Sequence, residues 1–188
     1  MSAFRKTTGS YVIKFNSKPV YEELSSDNLN QYGTIYWENL EYRSDTKYDI
    51  SIFLSDELLK KVLIGASGGA TSIHKTSYII ESDKLVICCS DTIFCLSIPD
   101  LSLLWKTKAD DATCFEIFKY KSDYIIHGEL QISRLSHSGE IVWQQSGADI
   151  FTTADSTGDD FLITDNYILA TDWEKRIYKF DFDGNLFI

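Results

Sequence analysis

The chain has 188 residues, of which 44% are hydrophobic and 24% are charged, and its formal net charge is −10. This length and composition fit one globular domain with a single substantial core and exclude a disordered or collagen-like chain. The acidic excess argues against direct binding to nucleic acid. No apolar run approaches the roughly 18 residues of a membrane-spanning helix, and no signal peptide follows Met1, so we expect no membrane partner and a cytoplasmic location.

The first part of the sequence predicts short strands separated by polar turns. Alternating aromatic and β-branched residues are typical of half-buried strands, and they occur at residues 10–15, 34–42 and 48–54. The polar residues 25–31 predict a loop. The two later strands are expected to form a hairpin around residues 43–46.

One stretch is compatible with two different elements. Residues 56–64 fit a short helix, with Ser55 or Asp56 as its cap and leucine and valine on its apolar face. The same residues also fit a strand, and the pattern leaves both open. The glycine-rich residues 65–71 lack the Gly-Lys-Ser/Thr ending of a phosphate-binding loop, so we interpret them as a turn.

The second part of the sequence repeats one phrase of short strands and a tight turn. The turn contains Gly139 and Gly184 in the second and third copies, and the strand after the turn carries Trp105 and Trp143 in the first and second copies. A period of about 40 residues built from short strands is typical of stacked or radially arranged β-units. The sequence therefore predicts an all-β fold of repeated antiparallel β-meanders, a small or partial β-propeller-like structure with at most one short helix.

The repeat also predicts the domain organisation. We expect a single domain over residues 1–188. Residues 76–188 would form about three β-repeat units, and residues 1–75 a divergent N-terminal unit or a cap. The two tryptophans of the repeat are expected to pack between neighbouring units.

The phrase Ser138-Gly139-Glu140-Ile141-Val142-Trp143 resembles the small-Gly-x-x-x-Trp repeat of quinoprotein-type and related WD-type propellers, in which the tryptophan packs between blades. The first copy has Asp100-Leu101 in place of the glycine, and the third copy ends at Ile188 in place of the tryptophan. The resemblance implies propeller-like repeats. It does not extend to the cofactor site of quinoprotein dehydrogenases, so no cofactor is expected.

A second resemblance concerns function. Four phrases are similar to small bacterial proteins of toxin–immunity loci, namely Gly128-Glu-Leu-Gln-Ile-Ser-Arg-Leu135, Gly147-Ala-Asp-Ile-Phe151, Thr171-Asp-Trp173 and Phe180-Asp-Phe-Asp-Gly-Asn185. In such loci a small cytoplasmic protein blocks a toxin delivered by a neighbouring cell. The resemblance implies an immunity protein whose partner is a cognate protein toxin.

The cysteines and histidines form no recognisable catalytic or metal-binding pattern. Their spacing matches no Cys-x-x-Cys, His-x-x-x-His or Glu-x-x-His arrangement. We interpret the cysteines as buried free thiols and the histidines as solvated or hydrogen-bonding residues; they are Cys88, Cys89, Cys95, Cys114, His74, His127 and His137. A Cys–His nucleophile pair would have to form through proximity in the fold.

Acidic residues supply the candidate binding site. Residues 149–188 hold nine acidic and three basic residues, and an acidic surface steers association with a basic protein. Tryptophan surrounded by charge fits a desolvated anchor in an interface. We therefore predict a non-enzymatic, metal-free protein that covers the active or substrate-binding site of a toxin, expected to be a basic nuclease. The predicted partner-binding residues are Asp110, Asp111, Asp155, Asp159, Asp160, Asp172, Trp173 and Glu174.

Three alternatives stay open at this point. The acidic surface is also explained by solubility alone. A propeller-like scaffold would bind other proteins without a toxin. A hydrolase would need two carboxylates held about 5–10 Å apart in a cleft. Calcium binding at residues 155–160 is disfavoured because the alternate-residue ligand spacing of calcium loops is missing.

Overall fold

The computed structural model describes residues 3–17, 21, 25–38, 46–152 and 160–187. Within these residues the chain forms four sheets, one of five strands and three of four strands, together with a single short helix. The predicted all-β fold of repeated antiparallel meanders is therefore confirmed. No helix in the described part of the chain is long and apolar enough to cross a membrane.

The N-terminal sheet differs in topology from the other three. Its strands run in the order β1-β2-β4-β5-β3, and all neighbours are antiparallel except β3 and β5, which are parallel. Helix α1 lies beside β3 and β5. The elements are β1 (Ala3–Thr8), β2 (Tyr11–Asn16), α1 (Asp27–Tyr32), β3 (Thr34–Trp37), β4 (Thr46–Leu54) and β5 (Glu57–Ala66).

Two predictions for this part are wrong. The expected hairpin does not form, because β3 pairs with β5 while β4 pairs with β2 and β5. Most of the expected loop at residues 25–31 is helix α1; the Ser25 hydroxyl accepts a hydrogen bond from the Asp27 N–H near its start, and Tyr32 at its end is buried. The intended turn of the hairpin, residues 43–46, lies outside the described residues except for Thr46.

The ambiguous stretch at residues 56–64 belongs to strand β5 from Glu57 onwards, and Asp56 lies in the turn before it. Val62, Leu63 and Ile64 are all fully buried, so both faces of this strand are covered. A strand buried on both faces shows a continuous apolar run rather than alternation, and such a run is hard to distinguish from a short helix by its pattern.

The three remaining sheets are four-stranded meanders in which each strand pairs with the next one along the chain. We call them the first, second and third blades. The first blade contains β6 (Tyr78–Ile80), β7 (Lys84–Cys89), β8 (Thr92–Ser97) and β9 (Leu103–Lys108). The second contains β10 (Cys114–Tyr120), β11 (Asp123–Gly128), β12 (Gln131–Leu135) and β13 (Ile141–Ser146), and the third contains β14 (Phe161–Ile163), β15 (Ile168–Thr171), β16 (Ile177–Phe180) and β17 (Leu186–Phe187).

Three buried clusters join the sheets in chain order. The first lies between the N-terminal sheet and the first blade, the second between the first and second blades, and the third between the second and third blades. None of the clusters formed by the described residues joins the third blade to the N-terminal sheet. The described clusters thus join the four sheets one after another in chain order, and we call this propeller-like row of sheets the arc.

Both repeat tryptophans lie between blades, as predicted. Trp105 packs against the cluster shared by the first and second blades, and its indole N–H donates to the His137 carbonyl at 3.2 Å. Trp143 packs against the next cluster, and its indole N–H donates to the Phe182 carbonyl at 2.9 Å. Each tryptophan thus bonds to the tight turn of the following blade.

Candidate protein-binding site

The alternation of antiparallel strands places each blade's middle turn and its linker to the next blade on one side of the arc. Backbone hydrogen bonds connect these segments in a chain: the Glu129 N–H donates to the Thr113 carbonyl at 2.7 Å, the Phe151 N–H to the Glu129 carbonyl at 2.6 Å, and the Trp173 N–H to the Ile150 carbonyl at 2.9 Å. We call this side the linker face; its described segments in the second half are residues 109–113, 129–130, 147–152, 160 and 172–176.

The structure brings the described candidates together on the linker face, although they come from distant parts of the sequence. Two more candidates, Asp155 and Asp159, lie outside the described residues. The candidates on the face are Asp110, Asp111, Asp160, Asp172, Trp173 and Glu174. Their shared position follows from the meander topology, and they differ sharply in exposure.

Asp110 is buried, with 1% of its surface exposed, and it bonds only to backbone N–H groups. One carboxylate oxygen accepts from Ala112 and Thr113 at 2.6 and 3.0 Å, and the other from Leu130 and Gln131 at 2.9 and 2.8 Å. Burial raises the pKa of Asp110, and these four donors oppose that rise. Asp110 therefore fastens the linker to the middle turn of the second blade.

Asp172 has the same kind of role in the third blade. It is fully buried, and it accepts hydrogen bonds from the Arg176 N–H at 2.9 Å and the Tyr178 hydroxyl at 2.8 Å. Burial disfavours its charged form, but these bonds and the Arg176 guanidinium at 3.3 Å outweigh burial and lower the pKa of Asp172. The carboxylate closes the turn that displays the two residues after it.

These positions revise the predicted contact set. Asp110 and Asp172 are buried beneath the linker face, where their hydrogen bonds hold its turns in place, so their carboxylates are not presented to a partner. The sequence contains one signal of this role, because an aspartate often accepts from backbone N–H groups two or three positions later, as Asp110 does with Ala112 and Thr113. Binding by the exposed candidates stays a prediction.

Among the exposed candidates, Asp111 lines an open depression of about 340 Å³, and the Trp173 N–H donates to the carbonyl of Ile150, another lining residue. The Asp111 side chain is 67% exposed, Trp173 is 47% exposed, and Glu174 is exposed beside it. Sequence reasoning missed the other walls of the depression, because most of them are small, amide or aliphatic residues, which carry no recognisable binding pattern. Its lining consists of Asp111, Leu130, Gln131, Ser146, Gly147, Ala148, Asp149 and Ile150.

Basic residues partly balance the acids of the linker face. The Lys108 ammonium lies 3.3 Å from Asp111 and 3.7 Å from Asp91, and these carboxylates raise the pKa of Lys108 against the opposing effect of burial. Lys175 and Arg176 lie in the same turn as Trp173. The face is therefore a mixed surface around an apolar anchor rather than a uniformly acidic patch.

A buried polar network holds the linker residues under this surface. The ring nitrogens of His127 lie 2.9 Å from the Glu116 carboxylate and 2.9 Å from the Phe151 carbonyl, and the Thr76 hydroxyl donates to Glu116 at 2.6 Å. Burial opposes ionisation of Glu116, yet the bonds to His127 and Thr76 lower its pKa overall. The network connects strands and linkers of successive sheets, so His127 completes hydrogen bonds as predicted.

The cysteine side chains are unsuited to nucleophilic catalysis. All four are buried and free, and burial raises the pKa of each thiol, to about 11 for Cys95. A thiol with a raised pKa is seldom present as the reactive thiolate. Among the described residues no group of three or more His, Cys, Asp or Glu side chains is arranged to hold a metal ion.

No protein-family model matches the chain, and no curated protein sequence matches it. Among solved structures it is similar to the AfRom2 CNH domain (TM-score 0.49, 11% identity, 98% of this chain and 53% of that one) and to HIRA(644-1017) (TM-score 0.49, 10% identity, 99% and 53%). It is also similar to the Neurospora crassa Pan2 WD40 domain (TM-score 0.46, 13% identity, 60% and 36%). The chain thus spans about half the length of the first two structures. At these identities the likeness concerns the fold alone.

Proposed function

We propose that this chain is a protein-binding module whose linker face receives a basic surface of a partner, and that it acts as an immunity protein against a nuclease toxin. The observation that carries the proposal is the exposure of Trp173 on the linker face, where its backbone N–H bonds to Ile150 of the depression and Asp111 and Glu174 lie on the same face. Exposed tryptophan is a frequent centre of binding energy in interfaces, and surrounding charges guide the approach of the partner.

Inhibition would come from occlusion rather than chemistry. A nuclease presents basic residues to the phosphates of its substrate, and acidic side chains of an inhibitor can occupy the same residues. In this arrangement Trp173 packs into the partner, while Asp111 and Glu174 pair with its cations. The buried carboxylates of Asp110 and Asp172 keep the turns in place, so the face is ordered before binding.

A protein-interaction scaffold is the second candidate function. It is favoured by a separate observation, the exposed apolar side chains of the third blade, among which Ile177 is 68% and Leu162 is 52% exposed. These side chains do not belong to the linker face. The two functions therefore predict different interaction surfaces and can be separated by substitution.

The first experiment captures partners of the tagged chain from its source cells and elutes them with increasing salt. Recovery of a single basic protein that resists moderate salt, and whose nuclease activity falls when the purified chain is added, supports the immunity function. A captured protein whose activity the chain does not change contradicts it. A multiprotein assembly favours the scaffold.

Charge-reversal variants then locate the surface. The test variant combines Asp111→Lys with Glu174→Lys on the linker face. The control variant combines Glu140→Lys with Asp165→Lys, which makes the same charge change at exposed turns on the opposite side of the arc. The proposal expects at least about tenfold weaker binding for the first pair and unchanged binding for the second, and a loss of about 2 kcal/mol for Trp173→Ala. Equal effects of the two pairs would move the interface away from the linker face.

A further inference from the structure

The three blades carry the same row of four paired residues on the face that points away from the N-terminal sheet. In the second blade the row is Phe118, Ile125, Arg134 and Trp143, each directly opposite the next across neighbouring strands. In the third blade the same register gives Leu162, Leu169, Lys179 and Phe187. In the first blade it gives Ile79, Val86, Cys95 and Trp105.

In the first and second blades this face is covered by the following blade. Val86, Cys95 and Ile125 are fully buried. Arg134 donates to the Phe182 carbonyl at 2.8 Å and lies 3.4 Å from the Asp183 carboxylate, so it binds the tight turn of the third blade. Two independent interfaces therefore show what this face binds: a β-meander whose tight turn lies over the aromatic residue.

The equivalent face of the third blade is exposed. Leu162 is 52% exposed, Phe187 is 45% exposed, and Ile177 is 68% exposed, whereas Ile132, at the matching position of the second blade, is fully buried. Lys179 occupies the position of Arg134, and its ammonium lies 4.0 Å from the centre of the Tyr167 ring. The face thus keeps the apolar row, the cation and the aromatic residue of the covered faces.

The other end of the arc is not a four-stranded meander. Helix α1 lies against β5 and β3 of the N-terminal sheet, where Tyr32 is buried and Lys61 pairs with Asp49 at 3.0 Å. Among the residues that the structure describes, a second copy of the chain therefore offers no uncovered meander face of the kind that docks on the blades. A symmetric pairing of two third blades would bring two Lys179 ammonium groups into one apolar interface, which is unfavourable.

We propose that the outer face of the third blade is a docking site for a further β-meander, bound as the third blade binds the second. The partner's tight turn carries an acidic residue followed by glycine. Its acid and backbone carbonyl lie against Lys179, and its glycine lies against Phe187. Phe187 lacks the indole N–H of Trp143, so the partner's turn packs against the Phe187 ring without that hydrogen bond, and its ionic contact is made with Lys179.

The probe for this site is a tandem variant of the chain itself. In this engineered variant a second copy of residues 144–187 is fused directly after Phe187, so that it adds another third blade together with its linker. The fusion point follows from the register, because Phe187 occupies the position of Trp143. The substitution Ile177→Cys in the original third blade places one exposed thiol on the proposed docking face, and its labelling rate measures how far the face is covered. The four native thiols are buried and are not expected to be labelled. Docking is expected to slow labelling of this cysteine at least about tenfold relative to the single chain.

Matched controls make the result specific. Glu140→Cys, in an exposed turn on the other side of the arc, should label equally fast in both proteins. Replacing the glycine of the added turn, Gly184→Val in the second copy, should restore fast labelling at position 177.

Labelling that is equally fast in the tandem and single chains overturns the proposal, whether or not the added blade folds. A dimer of the unmodified chain in sedimentation equilibrium that Ile177→Lys abolishes assigns the face to a second copy and also overturns it.

Discussion

Gly184 lies directly against the indole ring of Trp143, although the two residues belong to different blades. A Cβ atom on Gly184 would lie 2.7 Å from Cδ2 of Trp143, and one on Gly139 would lie 2.5 Å from Cδ2 of Trp105. Both glycines also have positive φ angles, 86° and 85°. The tight turn of each blade therefore reaches the tryptophan of the preceding blade only because the turn carries no side chain at this point.

This close approach predicts a large effect of a single methyl group. Gly184→Ala should lower the free energy of unfolding through both backbone strain and the clash with Trp143. Gly9→Ala is the matched control, because Gly9 also has a positive φ, 55°, but no atom lies within 4 Å of its Cβ position. Strain alone costs roughly 1–2 kcal/mol, and overpacking adds about 1–3 kcal/mol. Urea unfolding measures the difference; equal losses would show that the contact with Trp143 contributes nothing.

Substitution by asparagine should destabilise the protein strongly at Asp110 and hardly at all at the neighbouring Asp111. Asp110→Asn replaces one acceptor oxygen by an NH2 group and leaves one pair of N–H groups, either Ala112 and Thr113 or Leu130 and Gln131, without its acceptor, which should cost about 2 kcal/mol. Asp111→Asn removes only an exposed ion pair with Lys108 and should change stability by less than about 0.5 kcal/mol. Thermal unfolding of the two variants checks this, and equal stability losses would contradict the structural role of Asp110.

The repeat could be recognised from the sequence because each blade buries its residues against neighbours in the same way. Gly139, Trp105 and Trp143 occupy equivalent places, so the same short phrase appears in successive units. The N-terminal sheet was less predictable. Its pairing of β3 with β5 is parallel and joins residues that are distant in sequence, and local patterns carry no information about such a pairing.

The sequence supplied the acidic candidates but not their exposure. The described candidates lie in loops and turns, and the meander topology places them on one face. Their exposure depends on tertiary contacts. Asp110 and Asp111 are adjacent in sequence, yet one points to four backbone N–H groups and the other to solvent. The exposed face of the third blade was missed because its Leu162 and Ile177 look like ordinary core residues in a strand pattern.

The native cysteines should not react with a water-soluble thiol reagent such as Ellman's reagent while the protein is folded. All four are buried, and the raised pKa of Cys95, about 11, leaves little thiolate near neutral pH. We expect no labelling in buffer and four labelled thiols in denaturant. Ile177→Cys serves as a positive control because position 177 is 68% exposed. A native thiol that reacts as fast as this control would contradict the packing of the blades.

Arg134 should stabilise the junction of the second and third blades in a pH-dependent way. Its guanidinium lies 2.7 Å from the Asp123 carboxylate and donates to the Phe182 carbonyl of the next blade at 2.8 Å. Burial opposes ionisation of Asp123, but the hydrogen bonds from Arg134 and Ser122 and the charge of Arg134 lower its pKa below the ordinary 3.8. Arg134→Gln should therefore cost about 2 kcal/mol near neutral pH.

The pH dependence of that loss shows that Arg134 acts through a carboxylate, of which the buried Asp123 at 2.7 Å lies closer than the exposed Asp183 at 3.4 Å. A carboxylate whose pKa is lower in the folded state contributes its full stabilisation above the ordinary value of 3.8, and this contribution disappears as the pH falls through the folded pKa. The difference in unfolding free energy between the wild type and Arg134→Gln should stay constant above about pH 5 and narrow at lower pH. Lys75→Gln, which removes an exposed charge, should show no such narrowing. A difference that stays constant down to about pH 2 would mean that Arg134 stabilises the junction through the Phe182 carbonyl alone.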